Sequence, residues 1–276
     1  MTTAGTILER PSAYLPPDYV LEPTSLQNHV LGTYFNLRIG ITGLAILFPL
    51  FLLIVGRLAH VPLQGSMSAY YWATATTPDC ALPPAPWPAG TLRNEFVGIL
   101  IAVSAFLYLY KGFSRSENVA LNLAGIFGVV VALVPTHWPP CEKSGPVTVH
   151  STAAVLFFLC IAYVSVFRAK DTLSLIADAN RRARYERLYK LLGAAMIVSP
   201  IAAVIVTDII MLAGTTSPKV FFIEMFGVWA FAAYWGVKSY ELHQSSVVQL
   251  AIEGKLMRAK KHRPGLPDEA QLIAMN

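Results

Sequence analysis

Ser66 and Ser68 stand two residues apart in QGSMSAYYW, Gln64 to Trp72, just before Tyr70, Tyr71 and Trp72. A serine hydroxyl becomes a nucleophile when a neighbouring base takes its proton and a third group orients that base. His150 could serve as the base, and Asp208 or Glu224 as the orienting carboxylate. Those residue types permit a membrane lipid hydrolase, but QGSMSA lacks the second glycine of a G-x-S-x-G elbow. A metal-assisted hydrolase would draw on His137, His150 and an acid. Catalytic zinc ordinarily takes three protein ligands and a water, and no H-E-x-x-H or H-x-x-x-H pair occurs. Walker A, G-x-G-x-x-G, C-x-x-C and haem-attachment patterns are absent as well. The expectation is therefore no metal and no cofactor.

A second constellation is made of charges. Arg93, Glu95, His150, Asp208 and Glu224 each lie near one end of an apolar stretch. Ionisable groups in such places are costly, usually paired, and candidates for function. Two readings stand side by side. The residues could line a polar pocket that binds a lipid headgroup or small amphiphile, with Arg93 engaging an anion, His150, Asp208 and Glu224 setting local charge, Ser68 and Tyr70 closing it, and Ser66 a further candidate. They could instead form an interhelical ion-pair network, Arg93 with Glu224 or Asp208, that only locks the helices together.

The elements that must position these residues are written in the composition. Of 276 residues, 55% are apolar and 13% charged, against about 25% charged in a typical soluble domain. Mean hydropathy is +0.52. Six apolar runs approach the roughly 20 residues needed to cross a bilayer: 35–56, 93–112, 118–135, 150–168, 190–213 and 220–241. None shows a clean polar stripe, and backbone groups in lipid must be satisfied internally, so each reads as a helix. The fold class is all-α, a polytopic six-helix membrane bundle. The first residues lack a basic segment followed by an apolar one, so no cleavable secretory signal is expected and insertion begins with the first span.

Lysine and arginine orient the bundle. All but four of the 21 fall on one side; Arg57, Arg93, Lys143 and Lys219 are the exceptions. Both termini are then cytoplasmic. Residues 1–33 form a cytoplasmic N-terminal segment, 34–242 the transmembrane domain, and 243–276 a basic cytoplasmic tail. The outer loops are 57–92, 136–149 and 214–219. Net charge of +5 is topological on this reading and needs no nucleic acid. Expected partners are membrane lipid, a small amphiphilic ligand and a further membrane subunit or second copy. The expected location is the cell membrane, inner or plasma.

This topology puts QGSMSAYYW outside, together with Cys80 and Cys141. An oxidising compartment would favour a Cys80–Cys141 disulfide across the outer loops, closing about 60 residues for roughly 4 kcal/mol. Cys160 reads as packing. Gly40, Gly43, Gly125 and Gly128 would let helices approach closely, Asn122 would bond a neighbouring helix, and Pro200 would kink the fifth span. Lys111 and Lys238 read as snorkelling to the headgroups. Trp229, Tyr234, Trp235 and Tyr240 read as packing or interface anchors. The nearly charge-free middle of the spans argues against a pump, leaving a small transporter or an accessory subunit as further alternatives.

Several stretches resemble a family of uncharacterised bacterial polytopic membrane proteins with six helices. They are YFNLRIG (34–40), LQGSMSAYY (63–71), RNEFVGILIA (93–102), LYKG (109–112), LNLAGIFGVVVALVPT (121–136), VHSTAAVLFF (149–158) and EMFGVWAFAAYWGVKS (224–239). The resemblance spans about 34–240. It implies class and topology and carries no activity. In that family the S-x-S-A-Y-Y loop is followed closely by an arginine and F-V-G. Here a Pro-rich insertion at roughly 73–91, holding Cys80, separates them.

Overall fold

A computed structural model describes residues 23–74, 90–136, 148–173, 176, 178–212 and 217–245. Every regular element among them is helical: α1 (Pro23–Leu58), α2 (Arg93–Leu109), α3 (Arg115–Leu133), α4 (Val149–Tyr163), α5 (Ala179–Leu212) and α6 (Lys219–Ser245). A 3-10 turn, Ser68–Tyr71, lies between α1 and α2, and α4 ends in a π-helical turn, Val164–Arg168. Segments within α1, α3, α4 with its π turn, α5 and α6 are long and apolar enough to cross a membrane. The sixth helix, α2, has 17 residues, the short limit of a span at about 17–25. Cys80 and Cys141 lie outside the described residues, so the disulfide expectation meets no described atom.

Each helix packs on its neighbours in sequence, and α6 returns to α1, closing a ring. All six supply the apolar centre: Ile41, Leu107, Leu121, Ile161, Met196 and Phe231 are buried there. The outside is equally apolar. Ile46, Leu47, Ile54, Ile126, Ile205 and Phe226 are exposed, while Arg38, Ser104, Ser165, Lys238 and Glu241 are buried. Apolar side chains outside and charged ones inside reverse the soluble pattern. They suit a solvent that cannot hydrogen-bond.

Local signals set the helix starts. Ser114 accepts from Glu117 N at 3.2 Å and caps α3. The Glu117 carboxylate turns back to Phe113 N at 2.8 Å, and Asn118 Oδ1 takes Gly112 N at 2.5 Å. A Cβ on Gly112 would sit 2.6 Å from the Glu117 side chain, so a larger residue in the LYKG turn would displace that carboxylate. Thr148 and Ser151 form a capping box on α4. Asp178 receives N–H bonds from Asn180 and Arg181 at the start of α5. The Arg181 and Asn180 N–H groups hold its carboxyl below the ordinary aspartate range.

Two helices begin well before their apolar runs. α1 starts at Pro23 rather than 35, and α5 at Ala179 rather than 190. Hydropathy marks immersion in lipid, not helicity. The charged start of α5 carries an i,i+4 pair, Glu186–Lys190 at 2.8 Å, of the kind that supports a helix in water.

The glycines divide. A Cβ on Gly125 would lie 2.7 Å from Ser104 O, and one on Gly128 would collide with Ser104 Oγ and stand 3.3 Å from the Phe157 ring. These two bring α3 against α2 and α4. A Cβ on Gly40 would meet the Phe106 ring at 2.9 Å, whereas Gly43 faces open space. The Asn122 amide, oriented to donate, reaches Tyr108 O of α2 at 3.0 Å. α5 runs unbroken through Pro200.

Candidate functional site

The bundle has two ends. One, the cap end, holds residues 59–74 and the start of α2. The other, the tail end, holds the start of α1 and the end of α6.

At the cap end α1 terminates with His60 at φ 58°, the left-handed turn that closes many helices. Val61 N returns to Gly56 O at 2.9 Å. The chain then crosses the mouth of the bundle. Gly65 O accepts from Phe221 N at 2.8 Å, satisfying one of the free N–H groups of the first turn of α6. Met67 N donates to Glu224 Oε2 at 2.6 Å. Ser66 Oγ accepts from Ala69 N at 3.2 Å and lies 3.5 Å from Ser68 Oγ, so the two serines organise the 3-10 turn. Tyr70 is buried against Phe221, with ring centroids 5.9 Å apart, and burial pushes its hydroxyl pKa up.

The second half of the cap ties down the other helices. Gly90 N donates to Tyr71 O and Thr91 N to Ala73 O. A Cβ on Gly90 would run into the Tyr71 carbonyl, so only glycine lets the two segments of chain meet. Trp72 Nε1 donates to Thr136 O at 2.9 Å, beyond the end of α3. The Arg93 guanidinium lies over the Tyr71 ring at 4.2 Å and the Trp72 ring at 5.1 Å.

The site expected from the sequence therefore splits. Ser66, Ser68, Tyr70 and Glu224 meet on the α6 side of the cap. Arg93 and Glu95 lie at the α2 side, beside Tyr71 and Trp72. His150 is buried at the start of α4, its Nδ1 2.7 Å from Val134 O. It has no hydrogen bond to Ser66 or Ser68, so no nucleophile–base pair forms from these residues. Asp208 is exposed on α5 and makes no ion pair or hydrogen bond among the described residues. Arg93 pairs with neither Glu224 nor Asp208, and among the described residues no carboxylate lies within 4.0 Å of it. The ion-pair network expected from the sequence is not formed there. Arg93 Nε and Glu95 Oε2 are buried without partners among the described residues. No group of three histidine, cysteine or acidic residues among the described residues is placed to hold a metal ion.

Glu224 is thus a clamp on the cap. Glu224→Ala is expected to cost about 1–3 kcal/mol, because it leaves the Met67 N–H without its acceptor. Hydrogen exchange at Met67 should accelerate in that variant and stay slow in Glu224→Gln, which retains an acceptor oxygen.

The tail end holds a buried polar cluster that the sequence pattern does not announce. Lys238 does not snorkel. Its side chain is 3% exposed and its ammonium reaches Glu241 Oε2 at 2.8 Å. It also donates to Ala169 O at 2.7 Å and to Thr172 Oγ1. Glu241 further accepts from Thr172 Oγ1 at 2.7 Å and from the Tyr189 hydroxyl at 2.5 Å. Beside it Arg38 is fully buried, within 6 Å of the ring centres of Tyr34, Tyr110 and Trp235. Arg38 donates to Ser239 Oγ at 2.9 Å and to the Tyr110 hydroxyl at 2.5 Å. Tyr234 and Trp235 are interior packing, not interface anchors. One signal of this cluster does exist in the sequence: Lys238 and Glu241 are i,i+3 near the end of the mostly apolar α6, and such charges are tolerated there chiefly when paired.

Comparison with known proteins finds no family model, curated protein or solved structure that matches this chain.

Proposed function

We propose that this chain is an integral protein of the inner or plasma membrane, with six spans including α2 and both termini cytoplasmic. On this reading it binds the headgroup of an anionic lipid, or a small anionic amphiphile, at the outward-facing cap end. Membership in the bacterial six-helix family that its motifs resemble belongs to the same proposal. The lysine and arginine asymmetry supports the orientation.

One observation carries the binding site. The Arg93 guanidinium is held over two aromatic rings, has a buried Nε without an acceptor, and faces no carboxylate among the described residues. Stacking restrains the fork before a ligand arrives, and an arginine fork matches the oxygens of a phosphate or carboxylate. Ser66 holds the 3-10 turn of the cap and His150 makes no hydrogen bond to either serine, which favours binding over the serine hydrolase alternative.

Native mass spectrometry of the purified full chain, titrated with phosphatidylglycerol and with phosphatidylcholine, tests this reading. Arg93→Ala is expected to weaken one anionic lipid adduct about tenfold or more, the loss of a charge-assisted hydrogen bond of about 1.5–3 kcal/mol. Arg93→Lys should fall between, since it retains charge without the planar fork. An Arg93→Ala protein that holds every phosphatidylglycerol as the parent does would refute the site.

A further inference from the structure

A groove opens between α3 and α4 on the face of the ring opposite its centre. The two helices are in contact at Gly128 and Phe157. Toward the tail end they leave a shallow, open groove of about 740 Å³ lined by Val119, Leu123, Leu156 and Leu159. Val119, Leu123 and Leu159 are exposed. Helix α3 advances about 1.5 Å per residue, so the groove descends from Leu123 for about two turns to Arg115 at its tail-end mouth.

One cation, Arg115, stands at the mouth. Arg115 is exposed and has no ion pair among the described residues. It occupies the first turn of α3, where the helix dipole disfavours a positive charge, so helix stability does not account for it. Tyr163 forms the opposite lip. Arg168 stands 5.9 Å from the Tyr163 ring centre. One of its nitrogens meets Asp171 at 3.3 Å, and its Nε is buried with no acceptor among the described residues.

We propose that the groove is a second lipid site, distinct from the cap end: it holds one acyl chain of an anionic phospholipid, with the phosphate against Arg115. Apolar walls alone would take any lipid chain. Arg115 at one end selects the headgroup and fixes the leaflet, the one on the tail-end side. A zwitterionic headgroup carries the same phosphate but cancels its charge, so the site discriminates by net charge.

The test uses the purified full chain in mild detergent, titrated with phosphatidylglycerol and with phosphatidylcholine of the same chains, and read by native mass spectrometry. The parent is expected to hold one phosphatidylglycerol that Arg115→Ala weakens about fivefold, the factor associated with one basic side chain near an anionic surface. Leu123→Trp, which fills the groove from its lipid side, is expected to remove that adduct while leaving the melting temperature of the protein unchanged. Arg93→Ala should leave it intact, and an Arg93→Ala/Arg115→Ala protein should show both adducts weakened, each by its own factor. Retention of the same phosphatidylglycerol adducts in both Arg115→Ala and Leu123→Trp overturns the groove site and leaves the cap-end reading standing. Equal binding of phosphatidylglycerol and phosphatidylcholine by the parent overturns the selectivity.

Discussion

Lys238→Met is expected to destabilise the bundle by about 3–5 kcal/mol, the usual cost of leaving one partner of a buried ion pair without the other. The ammonium it removes reaches Glu241, Ala169 O and Thr172 at once. The stranded Glu241 carboxylate is 0% exposed and has no access to water. Glu241→Gln should cost less, because its one amide oxygen can still accept from Tyr189 and Lys238 while its NH2 turns to Thr172 Oγ1 as an acceptor. The double variant Lys238→Met/Glu241→Leu should recover a large part of the loss. Deleting both charges removes the desolvation burden together with the attraction. Equilibrium unfolding in mixed micelles, run as a double-mutant cycle, measures these values. A Lys238→Met protein as stable as the parent would show that the pair contributes nothing to the fold.

Gly125→Leu is expected to cost about 3 kcal/mol through overpacking. The new side chain would begin 2.7 Å from the Ser104 carbonyl of α2, a backbone atom that cannot rotate aside. α3 would have to withdraw from α2, its most extensive neighbour. In a bilayer that contact is hard to replace, because helix association there rests on close packing rather than on expulsion of water. Gly43→Ala is the contrasting case. Nothing lies within 4 Å of its added carbon, so it should be neutral or stabilise α1 by about 0.5–1 kcal/mol through helix propensity. Melting temperatures of the two variants in one detergent decide the matter. Equal loss in both would mean that the open space at Gly43 is filled in the folded protein.

Gly43 and Gly125 look alike in the sequence, each a small residue inside an apolar run, and either suits a close approach. Only the ring order of the helices separates them: Gly125 faces α2, and Gly43 faces no neighbour. Serine and tyrosine at 66–70 show the same limit from the other side. Their types suit a pocket or a nucleophile. The fold uses Ser66 to hold a 3-10 turn and Tyr70 to fill the space above Phe221. Arg93 and Glu224 are both legible as charges near helix ends. Their separation by the cap is not, since it depends on which helix the chain crosses after α1.

Hydropathy and length alone determined that the chain is a bundle of apolar helices. Both are properties of local composition, and the cost of exposing backbone to lipid leaves helix as the one local solution. Capping residues such as Ser114, Thr148 and Asp178 likewise act within one turn of the chain. What the tertiary structure decided is which charges are buried and with whom. Lys238 reads in the sequence as a side chain that reaches for headgroups, and nothing there marks Arg38 as buried. They are instead drawn inward, because Glu241, Thr172, Tyr110 and Ser239 supply there the hydrogen bonds that lipid cannot. Pairing of that kind joins residues as far apart as α1 and α6, and no local pattern encodes it.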